Sequence, residues 1–306
     1  THNMISGAAQ MDAAILVVSA EDGPILQTRE QILIARQAGI SHLVVFLNTT
    51  PETDDFIVEI SSYLVMDLLD ELGYPGWDMP IIVGSSADAL AGDDSDLGVP
   101  AVTKLIETID ETPIPRRALG KPFLLPIDNI FDISGRGTVV TGRIEQGTIN
   151  VGDEVEIVGL SETKTSTVMG LEIFKKRLER AEAGDLVGVL LRGIEPEDIK
   201  RGQVLSLPLS IKSHTQFEAE FSLLTQEEGG RHTPFFSGYS PHFYFRTADV
   251  TGVIELPRDI DMVMPGDTVT LSVKLGKSLT IEEDLGFTVR DDDRIIGTGV
   301  IKKIIK

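Results

Sequence analysis

The segment Leu43-Val-Val-Phe-Leu-Asn-Thr-Thr-Pro51 decides how the first third of this 306-residue sequence folds. Its apolar run, Leu43 to Leu47, ends in polar residues and a proline, which predicts a short buried strand. Similar runs lie at Ile15-Leu-Val-Val18 and Ile81-Ile-Val83. Helical patterns separate and follow these strands, at Gln27 to Gly39, Phe56 to Leu72 and Ala101 to Ile109. Strands that alternate with helices predict a parallel α/β sheet.

The pattern changes at Pro113. The stretch Pro113-Ile-Pro-Arg-Arg-Ala-Leu-Gly-Lys-Pro122 has no apolar period, which indicates a linker. Short β-type runs separated by glycine turns follow it, and they predict antiparallel barrels or sandwiches. The clearest runs are Gly137 to Gly142, Glu154 to Gly159, Leu186 to Leu191, Phe217 to Leu224 and Val269 to Leu275.

The predicted organisation is therefore multidomain. We expect a small α/β parallel-sheet domain over residues 1–112 and a linker over 113–121. Two antiparallel β-barrels follow over 122–210 and 211–306, because the β pattern breaks near Leu207-Pro-Leu-Ser-Ile211. A sheet of only three strands is small and looks like the tail of something larger.

Composition excludes several classes of function. The net charge of −21 argues against a generic nucleic-acid-binding surface, although most of the acidity lies in the first third. With no cysteine there is no disulfide, thiolate metal site or cysteine nucleophile. The five histidines show no metal-ligand spacing, and no Ser/His/Asp order suggests a triad. We therefore assign no catalytic and no metal-binding residues, and no apolar run is long enough for a membrane span.

Three passages carry long strings that resemble one known family. They are Met4-Ile-Ser-Gly-Ala-Ala-Gln-Met-Asp12, Lys121 to Arg143, and Glu227-Glu-Gly-Gly-Arg-His-Thr-Pro-Phe-Phe236 with its continuation to Asp267. These strings resemble the elongation factor Tu family of translation GTPases, and the resemblance runs from Asn3 nearly to the C-terminus. The family fold is a nucleotide domain followed by two β-barrels, which agrees with the periodicity.

The resemblance implies a function and a set of partners. The implied activity is GTP-dependent delivery of aminoacyl-tRNA to the ribosomal A site, with GTP or GDP and Mg²⁺ as cofactors. The implied partners are aminoacyl-tRNA, the ribosome and the nucleotide-exchange factor Ts, with no membrane. The stretch Asp94 to Thr112 resembles organellar members, especially mitochondrial ones, so we expect a cytoplasmic or organellar protein that is not secreted.

The guanine-reading motif of the family is only partly present. The family reads the base through Asn-Lys-x-Asp, in which the Asp carboxylate accepts two hydrogen bonds. Here Asn48 is kept, but Thr49 replaces the lysine and Pro51 replaces the aspartate. Proline has no side-chain acceptor and no backbone N–H, so the base-reading acceptor is missing. Asn48 has an alternative role as a loop residue that satisfies local backbone groups.

A second guanine-contacting element follows the third strand. The family has Ser-Ala-Leu there, and a backbone N–H of this element can serve the guanine O6. The corresponding residues are Ser85, Ser86 and Ala87. The resemblance thus gives a guanine-binding remnant that consists of Asn48 with these three residues.

Other family elements have no counterpart in the sequence. They are the phosphate loop of the G-x-x-x-x-G-K-[ST] type, the switch threonine for Mg²⁺, the Asp-x-x-Gly element and the water-positioning histidine. Two interpretations are open: the sequence is a fragment whose beginning is missing, or it is a truncated copy that has lost GTP chemistry. A missing beginning does not account for Thr49 and Pro51. We therefore expect that this chain does not bind GTP or GDP usefully.

The positions that face aminoacyl-tRNA are better kept. Asp128, Asn129 and Phe131 match an aminoacyl pocket in which the family usually has Glu, Asp and Phe. The change to Asn129 removes a negative charge that would favour the α-ammonium group. The alternative is that Phe131 anchors the barrel while an Asx residue forms a turn.

Further tRNA contacts are implied at three positions. Arg231 matches the family arginine at the tRNA 5′ end, where a guanidinium fork suits phosphate; otherwise it is a solvated loop residue. Asn3 matches a residue that contacts ribose or phosphate, although His2 replaces the neighbouring lysine. Thr251 matches a T-stem contact, although His242 replaces the neighbouring glutamine.

Three hypotheses about function remain open at this stage. The chain is a GTP-dependent aminoacyl-tRNA carrier, a GTP-independent tRNA- or protein-binding module, or a decayed remnant without function. A nucleotide response of tRNA binding separates the first two, and the absence of both activities indicates the third.

Overall fold

The structure is a computed structural model that describes residues 11–37, 39–113, 115–133, 135, 137–291 and 294–306. Backbone contacts divide the chain into two compact units, which we name the first unit and the second unit. The first unit ends at Pro115, and the second unit runs from Arg116 to Lys306. The division lies within the proline-rich stretch after Pro113.

The first unit is a parallel sheet with helices. Its elements are β1 (Ala13–Ser19), α1 (Leu26–Gln37), β2 (His42–Asn48), α2 (Asp55–Glu71), a 3-10 turn (Gly76–Asp78), β3 (Ile81–Gly84), α3 (Ser86–Ala91) and α4 (Val99–Asp110). The strand order is β1-β2-β3, and both pairs are parallel. The predicted parallel α/β sheet is therefore confirmed. The sequence pattern missed the 3-10 turn and α3, a short helix that begins directly after β3.

Burial differs sharply between the strands of this sheet. The five central residues of β2 are all buried, and α4 packs through Ala101 against Val44 and Phe46. Strand β1 is buried only on alternate residues, so that Ile15 and Val17 are 46% and 60% exposed. Within the described residues β1 pairs with β2 alone, and an apolar groove of about 320 Å³ runs beside it. The sheet therefore has one apolar edge that is open to solvent.

An exposed ion pair joins two helices of the first unit. Arg29 of α1 donates from Nη1 to Glu71 Oε2 at 3.1 Å and from Nη2 to Glu71 Oε1 at 2.7 Å. Glu71 is the last residue of α2 and is more than half exposed. The guanidinium hydrogen bond holds the pKa of this carboxyl below its usual range.

The second unit contains two β structures. The first, which we name the curled sheet, has eight strands in the order β4-β13-β8-β9-β12-β6-β5, with β10 paired to β9. In chain order, the strands between residues 124 and 206 are β4 (Leu124–Pro126), β5 (Asn129–Ile133), β6 (Gly137–Arg143), β7 (Thr148–Asn150), β8 (Glu154–Gly159), β9 (Ser161–Ile173), β10 (Lys176–Leu178), β11 (Arg180–Glu182), β12 (Leu186–Leu191) and β13 (Val204–Ser206). Strands β7 and β11 form a separate pair, and a 3-10 turn (Pro196–Asp198) precedes β13.

The second structure is a closed barrel with the strand order β14-β19-β17-β16-β20-β21. The remaining strands are β14 (His214–Leu223), β15 (Phe235–Phe236), β16 (His242–Phe245), β17 (Ala248–Glu255), β18 (Met262–Val263), β19 (Thr268–Leu279), β20 (Gly286–Asp291) and β21 (Arg294–Ile304). The predicted multidomain fold, an α/β sheet followed by antiparallel β structures, is confirmed. The second domain is a curled eight-stranded sheet, whereas the third is a fully closed barrel.

Aromatic rings fill the closed barrel. Phe217 packs edge-on against Phe243, Phe245 and Phe287, with ring centroids 5.6 to 6.5 Å apart. The alternation of buried and more exposed residues along β14 and β16 places Phe217, Phe243 and Phe245 on the inner side of the strands. Gly299 lies against this cluster, because a Cβ there would be 2.4 Å from the Phe287 ring. The missing side chain at Gly299 therefore leaves room for the Phe287 ring.

A buried arginine joins the curled sheet to the closed barrel. Arg246 of the β16–β17 turn donates from Nε and Nη2 to the carboxylate of Glu145 at 2.5 and 2.8 Å. It also donates to Glu282 Oε1 at 2.8 Å and to the backbone oxygen of Thr280 at 2.7 Å. The side chain is only 7% exposed. Thr247 adds a hydrogen bond from its hydroxyl to the backbone oxygen of Ile127 at 2.8 Å.

Candidate functional site

The predicted guanine-binding remnant lies at the carboxyl ends of β2 and β3. Asn48 is the last residue of β2, and its Oδ1 accepts a hydrogen bond from the backbone N–H of Ser86 at 2.9 Å. Ser85 is buried and caps α3, because its hydroxyl accepts from the N–H of Asp88 at 3.2 Å. Ala87 follows in the first turn of α3 and is exposed. The structure thus brings Asn48 and Ser86 together, and it uses the Asn48 oxygen for the local backbone.

The residues at the family's lysine and aspartate positions are Thr49 and Pro51, which have no carboxylate. Thr49 is buried, its N–H donates to the backbone oxygen of Gly84 at 2.9 Å, and its hydroxyl faces the backbone oxygen of Thr50 at 3.4 Å. Pro51 contributes neither a donor nor a side-chain acceptor. Over the described residues no group of three or more acidic, histidine or cysteine side chains fits a metal ion. Thr49 and Pro51 therefore supply no carboxylate that could accept hydrogen bonds from guanine.

The predicted aminoacyl pocket lies at one edge of the curled sheet. Phe131 is in the edge strand β5 and is 51% exposed, so it does not anchor the core of the sheet. Asn129 opens the same strand and donates from Nδ2 to Asp128 Oδ2 at 3.1 Å. An exposed ring beside polar groups can receive an aminoacyl side chain by apolar contact.

Sequence reasoning missed a cation at this site. Arg201 Nη2 lies 3.1 Å from Asp128 Oδ1, which offsets the negative charge that would attract an α-ammonium group. More than 70 positions separate the two residues in sequence. They meet because β13 pairs with β4, with Val204 opposite Pro126, so that the residues just beyond both strand ends lie side by side. Only the strand pairing reveals this contact.

Arg231 is fixed by neighbouring side chains. Its Nε and Nη2 donate to Thr233 Oγ1 at 3.2 and 2.9 Å, and its Nη1 lies 3.5 Å from Asp291 Oδ2. The guanidinium carbon stands 5.0 Å from the centre of the Tyr239 ring. The side chain is only 20% exposed. Arg231 is therefore a partly buried cation with partners on its own barrel, which favours the assignment over that of a solvated loop residue.

Thr251 lies on the same barrel as Arg231. It is an exposed residue of β17 opposite His242 of β16, and His242 in turn lies opposite Arg290 of β20. The residue after Arg290 is Asp291, the ion-pair partner of Arg231. The strand order therefore connects Thr251 and Arg231 through two neighbouring strands.

His242 is part of this surface and has its own carboxylate partner. Its Nδ1 lies 2.8 Å from Asp249 Oδ1. Asn3, the remaining predicted tRNA contact, lies outside the described residues.

Comparison with protein-family models gives three matches in chain order. Residues 1–114 match the elongation factor Tu GTP binding domain, residues 137–206 match elongation factor Tu domain 2, and residues 210–305 match the elongation factor Tu C-terminal domain. The chain belongs to the elongation factor Tu family. Members of this family are translation elongation GTPases, and the guanine remnant, Arg231 and Thr251 all lie inside matched segments. Asp128, Asn129 and Phe131 lie between two matched segments, so their assignment depends on the resemblance of the surrounding string.

A helix able to cross a membrane is not found among the described residues. The longest helix is α2, which is too short and carries several acidic residues.

Proposed function

We propose that this chain is an aminoacyl-tRNA-binding elongation factor that acts at the ribosomal A site, and that it recognises tRNA through Arg231, Thr251 and Phe131. The observation that carries the proposal is the Arg231 guanidinium, which Thr233, Asp291 and the Tyr239 ring hold on the closed barrel. Delivery in this family depends on GTP. In this chain the base-reading carboxylate is absent at Pro51, so we propose that the tRNA surface is retained while nucleotide binding is weak or lost.

Arg231 is suited to a phosphate group because its charge is permanent and its donors form a planar fork. The phosphate contact does not depend on the amino acid that the tRNA carries. Counterion release must supply most of the affinity, since the protein has a net charge of −21. Binding is therefore expected to weaken steeply as salt is added.

Phe131 is suited to a different part of the ligand. Its exposed ring can contact the aminoacyl side chain, whereas the Asp128–Arg201 pair leaves little net charge for the α-ammonium group. The pocket is therefore expected to favour the charged tRNA only moderately.

Filter binding with charged and uncharged tRNA across a salt series tests this proposal. Arg231→Ala should weaken both forms alike, by roughly 1–3 kcal/mol for a charge-assisted contact. Phe131→Ala should weaken only the aminoacylated form. Arg258→Ala, an exposed arginine of the same barrel, and Phe174→Ala, an exposed ring of the curled sheet, are the matched controls. Equal losses from Phe131→Ala on both forms remove the pocket assignment, and no tRNA binding at all favours a decayed remnant.

Calorimetry with GTP and GDP tests the nucleotide part of the proposal. We expect no complex with sub-micromolar affinity, because hydrogen bonds to charged groups that are missing cost about 1.5–3 kcal/mol each. A tight complex would contradict this part of the proposal and would support the hypothesis of a GTP-dependent aminoacyl-tRNA carrier. Tight tRNA binding without a nucleotide response favours the GTP-independent module.

A second candidate function, protein binding, is favoured by helix α2. One side of this helix is apolar and exposed, and we name it the α2 apolar face; it consists of Phe56, Ile57, Ile60, Tyr63 and Leu64. Trp77 extends it, with its ring centre 5.9 Å from that of Tyr63. Such contiguous apolar surface is typical of protein interfaces. The exchange factor Ts is the protein partner that the family implies.

Titration with the exchange factor Ts tests this second candidate. The double variant Ile60→Ser with Leu64→Ser should weaken the complex at least tenfold, because both side chains lie on the α2 apolar face. Leu90→Ser is the control, since Leu90 is almost fully exposed on α3, outside that face. Equal affinities of all variants would exclude the α2 apolar face as the contact.

A further inference from the structure

Every described polar contact of the Arg231 guanidinium is made within the chain. Thr233 accepts from two of its nitrogens, and Asp291 faces the third. A phosphate group that binds Arg231 must therefore replace or share at least one of these contacts. Which contact yields decides how readily the arginine binds RNA.

An aromatic stack holds the guanidinium in place from below. The Tyr239 ring is stacked on Phe235 at 5.3 Å, and Phe235 packs against Phe221 in the barrel core at 6.1 Å. Burial is the largest cause that raises the pKa of Tyr239, so the phenol stays neutral in the physiological range. The cation–π contact at 5.0 Å is thus anchored in the core. This contact is compatible with phosphate at the edge of the guanidinium.

The contact with Asp291 is the one that can be exchanged. Its separation of 3.5 Å is longer than the ~2.7–2.9 Å of a strong charge-assisted hydrogen bond. The carboxylate is 44% exposed, so water already solvates part of it. Asp291 also lies opposite Arg294 in the β20–β21 pair, and Arg294 is an exposed cation close to the released carboxylate. Thr233, in contrast, is neutral and does not compete electrostatically with a phosphate.

We propose that Asp291 is an intramolecular counter-ion that occupies Arg231 in the free chain and is displaced when an RNA phosphate binds. This inference rests on the proposed function, in which Arg231 contacts tRNA phosphate. A carboxylate and a phosphate carry charge of the same sign, so both cannot lie close to one guanidinium without mutual repulsion. Asp291 is therefore a positioning residue that holds Arg231 in place and lowers its affinity for RNA.

The test is a double-mutant cycle on the full chain, with an uncharged tRNA transcript as the probe in filter binding. Asp291→Asn keeps the shape and removes the charge, and it should tighten binding about two- to fivefold, as expected for one partly exposed ion pair. Asp284→Asn is the matched control. Asp284 precedes the other end of β20, roughly 20 Å away at the rise of an extended strand, so its loss changes the net charge alone.

The decisive comparison is made in the Arg231→Ala background. There Asp291→Asn should tighten binding no more than Asp284→Asn does, because the arginine that Asp291 restrains is gone. A thermal melt of each variant shows whether the fold is kept. If Asp291→Asn lowers the melting temperature, Asp291→Ser replaces it in the binding measurements.

The outcomes separate this inference from the proposed function. If Arg231→Ala weakens binding but Asp291→Asn leaves it unchanged or weakens it, the counter-ion role is wrong while the tRNA contact of Arg231 stands. If Asp291→Asn tightens binding equally with and without Arg231, the effect is general charge and the inference is again wrong. If Arg231→Ala has no effect, the proposed phosphate contact fails and the inference fails with it.

Discussion

The two units of the chain each hold an arginine that pairs with carboxylates, but the number and the exposure of the partners differ. Arg29 in the first unit is 16% exposed and pairs with one carboxylate, Glu71, that is 59% exposed. Arg246 in the second unit is 7% exposed and bonds to two carboxylates and a backbone oxygen. An exposed ion pair contributes little to the free energy of unfolding. Removal of one partner from a buried ion pair costs more, because the remaining charge is left unpaired where water reaches it poorly. The second unit thus depends on its arginine far more than the first does.

The sheets of the two units also differ in whether their edge strands are paired. The closed barrel has no free edge among its six strands, and its rings are packed inside. The first unit has an open strand, β1, with Ile15 and Val17 exposed. Open apolar edges favour association with other chains. The comparison predicts that the second unit is stable by itself and that the first unit is not.

The largest expected effect comes from separating the units. Residues 116–306 should fold alone and melt cooperatively, because both β structures and the Arg246 contacts lie inside this segment. Residues 1–115 should aggregate through the open edge of β1. Differential scanning calorimetry and light scattering measure the two outcomes.

A variant of the isolated first unit sharpens this prediction. Ile15→Thr with Val17→Thr keeps β-branched residues in the strand but removes apolar surface, so aggregation should slow. If residues 116–306 show no cooperative melt while the full chain does, the independence of the second unit is wrong.

The next largest effect is expected inside the closed barrel. Phe217→Ala removes a fully buried ring that contacts three others, and it should lower the free energy of unfolding by about 3–5 kcal/mol. Phe236→Ala, at an exposed ring of the same unit, should change it by less than ~0.5 kcal/mol. Urea unfolding followed by near-UV circular dichroism gives both values. Equal losses would mean that the rings do not form the core of the barrel.

A smaller loss is expected at the contact between the curled sheet and the closed barrel. Arg246→Met should cost roughly 2 kcal/mol, below the ~3–5 kcal/mol of a fully buried pair, because Glu145 and Glu282 are partly exposed and regain water. Arg246→Lys should recover part of this loss by keeping the charge without the fork. Urea unfolding of residues 116–306 measures both. A more stable Arg246→Met variant would show that apolar packing serves this position better than the ion pairs.

The smallest effect is expected at the exposed pair of the first unit. The pKa of Glu71 is lowered from 4.5 by the hydrogen bond from Arg29, so the pair stabilises the fold above pH ~4.5 and this contribution is lost as pH falls through the lowered pKa. Glu71→Gln should therefore cost about 0.2–1 kcal/mol at pH 7 and less at pH 4.

The single tryptophan, Trp77, lies in the first unit, so its fluorescence during urea unfolding follows this unit alone. Asp67→Asn, an exchange elsewhere on α2, is the control for the loss of one acidic charge. A difference that stays constant between pH 7 and pH 4 would contradict the assignment to the ion pair.

For the strands and helices that it identified in the first unit, the local pattern predicted the bounds to within two residues. The buried run at Leu43 to Leu47 became the fully buried β2, because apolar residues in sequence can be covered on both faces only in the middle of a sheet. Helix α3 was missed, since six residues do not complete a readable period. The sequences of the closed barrel and of the curled sheet show the same pattern of short antiparallel strands. The pattern does not distinguish the two structures, because closure depends on which strands pair.

The candidate sites divide in the same way. Sequence determined that Thr49 and Pro51 remove the base-reading groups, because a missing carboxylate is a property of residue type alone. It also identified Arg231 as a cation suited to phosphate. Only the tertiary structure decided that Arg201 neutralises Asp128 and that Asp291 and Tyr239 hold Arg231. Arg201 and Asp128 lie far apart in sequence, as do Arg231 and Asp291, and electrostatic interactions depend on distances that only the folded chain sets.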